Sequence, residues 1–488
     1  MRENTDDCAI FRYSKFHIGA LCTLATASRD EIQCSCDPSQ QPMNGSFNWA
    51  VTVLFEHGVE WIMRSPRSDY GQLPSELSGE LLASEAATLK YLRQVTDIPI
   101  PKVYSYSASS KNPIGVPYIL MSKAQGWPLQ NVWTTNPSTD CLKLADKEKV
   151  MFQLGQITWK LAQVRFDRIG SLFEENDHVK LGECMSRGHI LHERYSLEDL
   201  PRGPFTTESE FYNSLITAMV QHAESLPLTP HCFVAPIPTR DDYENDGVHQ
   251  AACDLWNGFV AIGDKIDSAE NRLDYILVGD ARQQYFVDDD FNITSIIDWS
   301  CCSSVPLAML LAPLGLPQSR HALSEDLIKV FREGYKEASK RSCHGEMQPF
   351  LSSDAIAILE DSKFSWSLIR LLTFVSTDDL RLFRTLWDIV HPNHNLESFI
   401  TSQRHLPHYV RLHEELQADD RPISEIRKSE KDYFRNTADF TVARNLTVVS
   451  NWGFRYKPCF NHFRNAKMFL ANPKLWVWVS KAKEQGDL

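Results

Sequence analysis

The segment Tyr275–Trp299 constrains the fold of this chain more than any other stretch of the sequence. It contains two aspartates, Asp280 and Asp298, which lie 18 positions apart. Between them the sequence predicts a β-hairpin, in which the acidic and polar run 288–292 forms the turn and the second strand covers Ile293–Ile297. Each aspartate therefore lies at one end of the hairpin, where both carboxylates can face one cleft.

Two carboxylates that face one cleft provide the arrangement that phosphoryl transfer requires, with one near the attacking hydroxyl and the other on a magnesium ion. A catalytic loop of this kind supplies a further metal ligand, an Asn five residues after its first Asp. Tyr285 occupies that position here, and moving the alignment by one residue brings Gln284 there instead. The sequence therefore predicts one acidic metal ligand and no Asn beside it.

The motif Ile296–Trp299, which reads Ile-Ile-Asp-Trp after an acidic turn, resembles the aminoglycoside phosphotransferase and choline kinase family. This family is a branch of the protein-kinase-like fold, and within it the chain is similar to a large, divergent set of fungal proteins. The resemblance implies an α+β fold of two lobes, with ATP and Mg²⁺ as cofactors. It also implies Asp280 as the catalytic base and Asp298 as the metal ligand. The family's loop has a His two positions before its Asp, where this chain has Val278.

Each aspartate also has a simpler interpretation. Gly279-Asp280 is a common turn dipeptide, so Asp280 can serve a turn without any catalytic role. Asp298 ends an apolar strand, where a carboxylate is costly unless it is paired or bound to a metal. The acidic turn 288–290 is predicted to be solvated rather than metal-binding.

Alternating residues predict the sheet of the small lobe. Apolar side chains recur at every second position over 47–55 and again over 59–63, which is the period of half-buried strands. Arg64 is in phase with Ile62, so it points away from the face that carries Trp61 and Met63.

A helix is predicted over residues 79–94, with Leu82, Leu89 and Leu92 on one face. Glu85 falls on that same face, where a carboxylate needs a partner. We expect Arg64 and Glu85 to form an ion pair that holds a nucleotide phosphate, as a basic residue on a strand and a Glu on a helix do in kinases. The alternatives are a structural salt bridge or two solvated side chains.

The resemblance also implies two nucleotide-binding segments. Gly45 and Ser46 lie in the loop before the long strand, where backbone amides could surround phosphates; the alternative is an ordinary hairpin turn. A strand over 116–121 ends at Met121, and the resemblance implies that this strand and the residues to Gly126 form the hinge that contacts an adenine.

The predicted organisation has four parts. Residues 1–29 are a lead-in, 30–124 the small lobe, 125–420 the large lobe with its catalytic-loop region at 275–300, and 421–488 a C-terminal helical extension. The extension contains aromatic and basic residues, and the two alternatives for it are nucleic-acid binding and packing against the large lobe.

Composition excludes several function classes. The net charge of −13 and the isoelectric point near 5.7 argue against a nucleic-acid or anionic-membrane partner. No run of about 18 apolar residues predicts a membrane span. The N-terminus lacks a secretory pattern, and the twelve cysteines have no regular spacing. We therefore predict reduced thiols and a cytoplasmic location.

Two functional hypotheses remain at this point. The first is an ATP- and magnesium-dependent phosphotransferase acting on a small-molecule hydroxyl, with the substrate and the oligomeric state unspecified. The second is a pseudokinase, which keeps the fold as a nucleotide- or partner-binding module. Asp280 and Asp298 favour the first hypothesis, whereas Val278 and Tyr285 favour the second.

Overall fold

The structure, a computed structural model, describes residues 15–44, 47–67, 73–133, 142–176, 178–191, 194–225, 275–278, 284–306 and 324–342, and single positions between 393 and 407. In these residues the helices are α1 (Ile18–Ala27), α2 (Ser75–Val95), α3 (Leu144–Ala162), α4 (Arg187–Ile190), α5 (Glu208–Ser225) and α6 (Glu325–Ser342). The strands are β1 (Cys34–Ser35), β2 (Met43–Asn44), β3 (Asn48–Phe55), β4 (Glu60–Pro66), β5 (Val103–Ser107), β6 (Tyr118–Ser122), β7 (Trp127–Pro128), β8 (Arg165–Phe166), β9 (Ser171–Glu175), β10 (His178–Gly182), β11 (Tyr275–Val278), β12 (Gln284–Val287), β13 (Ile293–Ile297) and β14 (Ser303–Val305).

Strands β1 to β6 form a six-stranded antiparallel sheet in the N-terminal part of the described chain. Its strand order is β1-β3-β4-β6-β5, and β2 pairs with the other part of β3. One face of the sheet is apolar, and α1 covers it. The buried residues of this core include Leu21 and Ala25 from the helix and Trp49, Val51, Val53, Phe55, Trp61 and Met63 from the sheet. The predicted alternation in β3 and β4 is therefore confirmed.

Helix α2 packs on the opposite face of this sheet. It begins after Pro74, and its buried stripe contains Leu82, Leu89 and Leu92, as predicted. Glu85 is also buried on this stripe. Because Arg64 of β4 points away from the Trp61 face, the helix carboxylate and the strand guanidinium meet between sheet and helix.

Two three-stranded ladders follow, in the orders β14-β11-β8 and β13-β12-β7. The predicted hairpin is confirmed as β12 and β13, with Gln284 opposite Ile297 and Tyr285 opposite Ile296. Its turn is organised by Asp288, whose Oδ1 accepts the amide hydrogen of Asn292 at 2.8 Å. Asp289 and Asp290 are exposed, as expected for a solvated turn.

Helices α3 and α6 pack against each other through two glycines. A Cβ atom added at Gly155 of α3 would clash with the backbone of Phe331, and one added at Gly334 of α6 would clash with the backbone of Phe152. The close approach of the two backbones therefore requires glycine at both positions.

The chain divides into two compact units. The first comprises residues 1–189, 201–214 and 267–373, and it contains the six-stranded sheet and both ladders. The second comprises 190–200, 215–266 and 374–488, and its described residues include a small buried cluster of Leu197, Leu200 and Ala218. The predicted lobe boundaries stay predictions, and the proposed extension 421–488 lies outside the described residues.

The predicted α+β class is confirmed in the described residues. An antiparallel sheet, with α1 on one face and α2 on the other, is followed by short strands and longer helices in the described chain. The six described cysteines are all free thiols, as the prediction of no disulfide requires for that part of the chain. In the ranges that the structure describes, no helix combines the length and apolar character needed to cross a membrane.

Candidate functional site

The predicted ion pair between Arg64 and Glu85 is present and largely buried. A guanidinium nitrogen of Arg64 donates to Oε2 of Glu85, and the two side chains are 14% and 3% exposed. Burial of a lone carboxylate at this depth would be strongly unfavourable, so the pairing with Arg64 stabilises the fold. The prediction that these residues come within ion-pair distance is confirmed.

The second oxygen of Glu85 connects the helix to the end of the hairpin. The backbone amide of Trp299 donates to its Oε1 at 3.3 Å. Burial raises the pKa of the Glu85 carboxyl, the charge of Arg64 opposes this rise, and the nearby charge of Asp298 adds to it. Arg64, Glu85 and Asp298 therefore belong to one electrostatic site.

Asp298 lies directly after β13 in a conformation that is uncommon for a residue other than glycine. Its φ is +69°, and Cys301, three residues later, has φ of +60°. Its Oδ1 accepts the hydroxyl hydrogen of Ser300 at 2.8 Å, and the residue is half-buried. Two left-handed residues in one short turn store backbone strain, which tends to concentrate at functional sites.

The single carboxylate of Asp298 is typical of a magnesium site that also uses substrate phosphates and water, rather than of a metal site formed by protein ligands alone. Among the residues the structure describes, no three His, Cys, Asp or Glu side chains are grouped to hold a metal ion. Magnesium is commonly bound through one or two carboxylates together with substrate phosphates and water. The Asp298 carboxylate, half-buried at a strand end, fits such a site.

Asp280 itself lies outside the described residues, but the strands on both sides of it are described. Val278, the last residue of β11, pairs with Ser303 of β14, and Gln284, the first of β12, pairs with Ile297 of β13. The segments 279–283 and 298–302 therefore connect the same two ladders. The prediction that both aspartates face one cleft stays a prediction, because Asp280 is not described.

Tyr285 lies within β12 rather than in a loop. It is opposite Ile296, two residues before Asp298, and burial raises the pKa of its phenol. The hydroxyl therefore stays neutral, and a neutral phenol is a poor ligand for magnesium. Its predicted projection between Asp280 and Asp298 remains a prediction, because Asp280 is not described.

The predicted nucleotide-binding segments have a mixed outcome. Gly45 and Ser46 lie outside the described residues, although β2 and β3 on either side of them pair with each other. Met121 is buried in β6 opposite Ile62, on the same face of the sheet as Arg64. No observation of a ligand tests these roles, which stay predictions.

The linker after β6 makes close contact with the hairpin. A Cβ atom added at Gly126, where φ is +81°, would clash with the backbone of Val287. The hydroxyl of Thr294 donates to the carbonyl oxygen of Gln125 at 2.6 Å. The predicted hinge is therefore held against β12 and β13, the strands that lead to Asp298.

Sequence reasoning missed Arg187, which lies in the four-residue helix α4. Arg187 is only 8% exposed, and its guanidinium lies 5.9 Å from the ring centroid of Phe47. Burial raises the pKa of the Cys301 thiol to about 12, and the charge of Arg187 opposes that rise, whereas Asp298 and Glu85 add to it. The only sequence signal was an arginine in a segment without periodicity, which identifies no role.

Comparison with known proteins gives partial matches. No protein-family model matches the chain. A subtelomeric hrmA-associated cluster protein of Aspergillus fumigatus is 32% identical over 180 residues, which cover 35% of this chain and 33% of the relative. Altered inheritance of mitochondria protein 9 of Zygosaccharomyces rouxii is 31% identical over 104 residues, which cover 21% of this chain and 17% of the relative. The chain spans about a third or less of the length of these curated relatives.

Solved structures with a similar arrangement are phosphotransferases and kinases of small molecules. A Thermobifida fusca protein assigned as a fructosamine-3-kinase aligns with a TM-score of 0.41 and 12% identity, over 75% of this chain and 99% of its own. Macrolide 2′-phosphotransferases and an ethanolamine kinase are also among them.

The comparisons contradict the predicted cytoplasmic location. Relatives from several yeasts share the name altered inheritance of mitochondria protein 9, mitochondrial. The prediction was wrong because its two arguments exclude too little. The lack of a secretory pattern argues only against secretion, and reduced thiols argue only against an oxidising compartment.

Proposed function

We propose that this chain is an ATP- and magnesium-dependent phosphotransferase that acts on the hydroxyl of a small molecule. One observation carries the proposal: Glu85 bonds Arg64 through one oxygen and the amide of Trp299, next to Asp298, through the other. A single buried carboxylate thus connects a cation suited to phosphate with a carboxylate suited to magnesium. Phosphoryl transfer depends mainly on this kind of positioning and charge stabilisation.

Each described residue has a separate role in this proposal. Arg64 would bind the nucleotide phosphates through its planar guanidinium, which matches phosphate oxygens in a two-point contact. Glu85 would orient Arg64 and remain buried. Asp298 would hold Mg²⁺, which supplies positive charge to the phosphate oxygens when bound.

Four further residues complete the proposed site. Asp280 would accept the proton of the substrate hydroxyl as a general base. Gly45 and Ser46 would contact the phosphates, and the region of Met121 would contact the adenine. The negative charge of the chain and the substrates of the structurally similar proteins favour a small, cationic or amine-bearing hydroxyl compound.

A nucleotide-binding module without catalysis is the second candidate, and a specific observation favours it. Tyr285 occupies the position of the second metal ligand and is built into β12 with a neutral, partly buried phenol. Val278 occupies the position of the loop histidine and is part of β11. Loss of the second metal would slow transfer without preventing nucleotide binding.

Calorimetric titration of the full chain with ATP, with and without Mg²⁺, tests the proposal. We expect magnesium-dependent binding that Asp298→Asn weakens, while Asp289→Asn, which removes the same charge from the exposed turn, leaves it unchanged. Transfer of labelled phosphate to amino sugars and amino alcohols then separates the two candidates. Binding without any transfer supports the module, and no binding at all rejects both.

The names of the curated relatives also support a mitochondrial location as part of this proposal. Fractionation of cells that express the full protein, with protease protection of the organelle fraction, tests it. Recovery of the protein in the soluble fraction outside organelles would reject it.

A further inference from the structure

We infer that Arg187 is a second phosphate-binding cation of the candidate site, which takes the charge that a second magnesium would otherwise neutralise. This inference rests on the proposed nucleotide-binding function and adds to it a residue outside the family's motif positions.

Buried hydrogen bonds hold the segment before Arg187 against the turn that contains Asp298. The amide of Met185 donates to the hydroxyl of Ser171 at 2.8 Å. That hydroxyl lies 2.7 Å from both the carbonyl oxygen of Cys302 and the hydroxyl of Ser303. Since Ser171 and Ser303 are almost fully buried, this contact is a fixed part of the fold.

A second buried network fixes the short helix that carries Arg187. Nδ1 of His189 lies 2.7 Å from the hydroxyl of Ser186, and its Nε2 lies 2.9 Å from the hydroxyl of Ser214. His189 is completely buried. Both ring nitrogens therefore have partners, and the residues on each side of Arg187 are restrained.

The guanidinium of Arg187 lies near residues that adjoin both parts of the proposed site. It lies 5.9 Å from the ring of Phe47, which follows the proposed phosphate-binding residues in sequence. Its charge also acts on the Cys301 thiol, whose pKa responds to Asp298 and Glu85 as well. Arg187 is therefore close to Phe47 and to the turn that carries Asp298 and Cys301.

The charge balance of the site explains what Arg187 would do. Glu85 already neutralises Arg64, and Tyr285 offers no carboxylate or amide oxygen to a second metal. The triphosphate of ATP carries up to four negative charges, of which one magnesium compensates two. A buried arginine stays charged at all working pH values and binds phosphate oxygens through a two-point contact, so it suits the remaining charge.

The test compares Arg187→Met with Arg168→Met, which removes the same charge from a half-exposed side chain whose partner is Asp167. Affinities for adenosine, ADP and ATP are measured with Mg²⁺, and melting temperature reports folding. We expect Arg187→Met to weaken ATP binding roughly 10- to 100-fold, the range for losing a charge-assisted hydrogen bond, with adenosine unaffected. Arg168→Met should change neither.

A second variant keeps the test decisive if Arg187→Met does not fold. Arg187→Lys preserves the charge but loses the planar two-point contact, so we expect an intermediate loss for ATP and none for adenosine. If either folded variant binds ATP and adenosine as the wild type does, the inference about Arg187 is wrong and the proposed function stands.

Inorganic tripolyphosphate separates this inference from the proposed function. If the wild type binds tripolyphosphate in a way that depends on Arg187 but does not bind ATP, the anion site stands and the nucleotide-dependent function is rejected. If the wild type binds neither compound, both proposals are rejected.

Discussion

The two sides of the candidate site differ in how completely they are built. On the side of the six-stranded sheet, Arg64, Glu85 and the amide of Trp299 form a continuous buried connection. On the side of the two ladders, the positions where the sequence resemblance predicts His and Asn are Val278 and Tyr285, both within strands. One side has buried polar groups that are paired, and the other has an apolar and an aromatic residue where polar ones were predicted.

The physical reason for this difference is that only one side is required for folding. A buried carboxylate or guanidinium without its partner destabilises the fold by several kcal/mol. Replacing a loop His or Asn by an apolar or aromatic residue carries no such penalty and adds buried surface. An intact ion pair therefore indicates only an intact fold. The residues around the proposed magnesium site determine whether phosphoryl transfer is possible.

The largest effect is expected for Glu85→Ala. The change leaves the guanidinium of Arg64 and the amide of Trp299 without their acceptor inside the protein. We expect the free energy of unfolding to fall by about 3–5 kcal/mol in urea titrations. Glu175→Ala, which breaks the exposed pair with Lys180, should change it by less than about 1 kcal/mol. Equal effects of the two variants would contradict the argument.

A double variant, Arg64→Met with Glu85→Leu, separates folding from binding. It replaces the ion pair by apolar side chains of similar size, which is often close to neutral for stability. We expect most of the stability lost in Glu85→Ala to return while ATP binding stays lost. Recovery of binding together with stability would show that the pair serves the fold alone.

The next largest effect is expected at Asp298, the proposed magnesium ligand. Asp298→Ala should weaken magnesium-dependent ATP binding at least tenfold, equivalent to about 1.4 kcal/mol, because Glu85, the described carboxylate near it, is already paired with Arg64. Calorimetry at fixed ATP and varied Mg²⁺ measures this. Unchanged magnesium dependence would mean that Asp298 is not the ligand.

A smaller gain is expected from Tyr285→Asn. An amide oxygen in place of the phenol restores a second magnesium ligand, so we expect ATP affinity in the presence of Mg²⁺ to rise by up to about tenfold. Tyr285→Phe, which removes only the hydroxyl, should leave binding unchanged. If Asn and Phe have the same effect, the position does not face the metal, and the proposed comparison of the two sides loses its basis.

The smallest effect is a pH dependence that originates at Glu85. Its pKa is raised above the ordinary value of 4.5, mainly by burial, so the folded protein holds this proton more tightly than the unfolded chain. The stabilisation is fully present below the unfolded pKa and is lost as pH rises through the folded pKa. The stability of wild type relative to Glu85→Gln should therefore fall as pH rises above the ordinary carboxyl pKa of 4.5. A rise over this range would mean that the charge of Arg64 outweighs burial.

Much of the sheet and its ion pair could be predicted from the sequence because their signals are local. Alternation over 47–55 placed the apolar face of β3, and the phase of Arg64 and Glu85 placed each on the side where the other lies. The hairpin at 284–297 followed from an acidic turn between two apolar runs. Each of these features is set by the pattern of side chains within a single strand, helix or hairpin.

The rest of the site could not be predicted, because it depends on contacts between distant segments. The amide of Trp299 bonds a carboxylate 214 positions earlier, and a backbone group leaves no trace in the residue pattern. The segment of Arg187 is positioned by two serines of other elements, Ser171 and Ser214, the second of them through His189 of the same helix. The left-handed backbone at Asp298 and Cys301 likewise follows from packing, since neither residue type prefers it strongly.

The sequence by itself determined the α+β class, the strand that carries Arg64 and the helix face that carries Glu85, because backbone periodicity decides which side chains can be buried together. Only the tertiary structure decided that these two residues connect to the turn of Asp298 and that Arg187 joins them. Burial makes every unpaired charge unfavourable, so the folded chain brings together cations and carboxylates that are far apart in sequence.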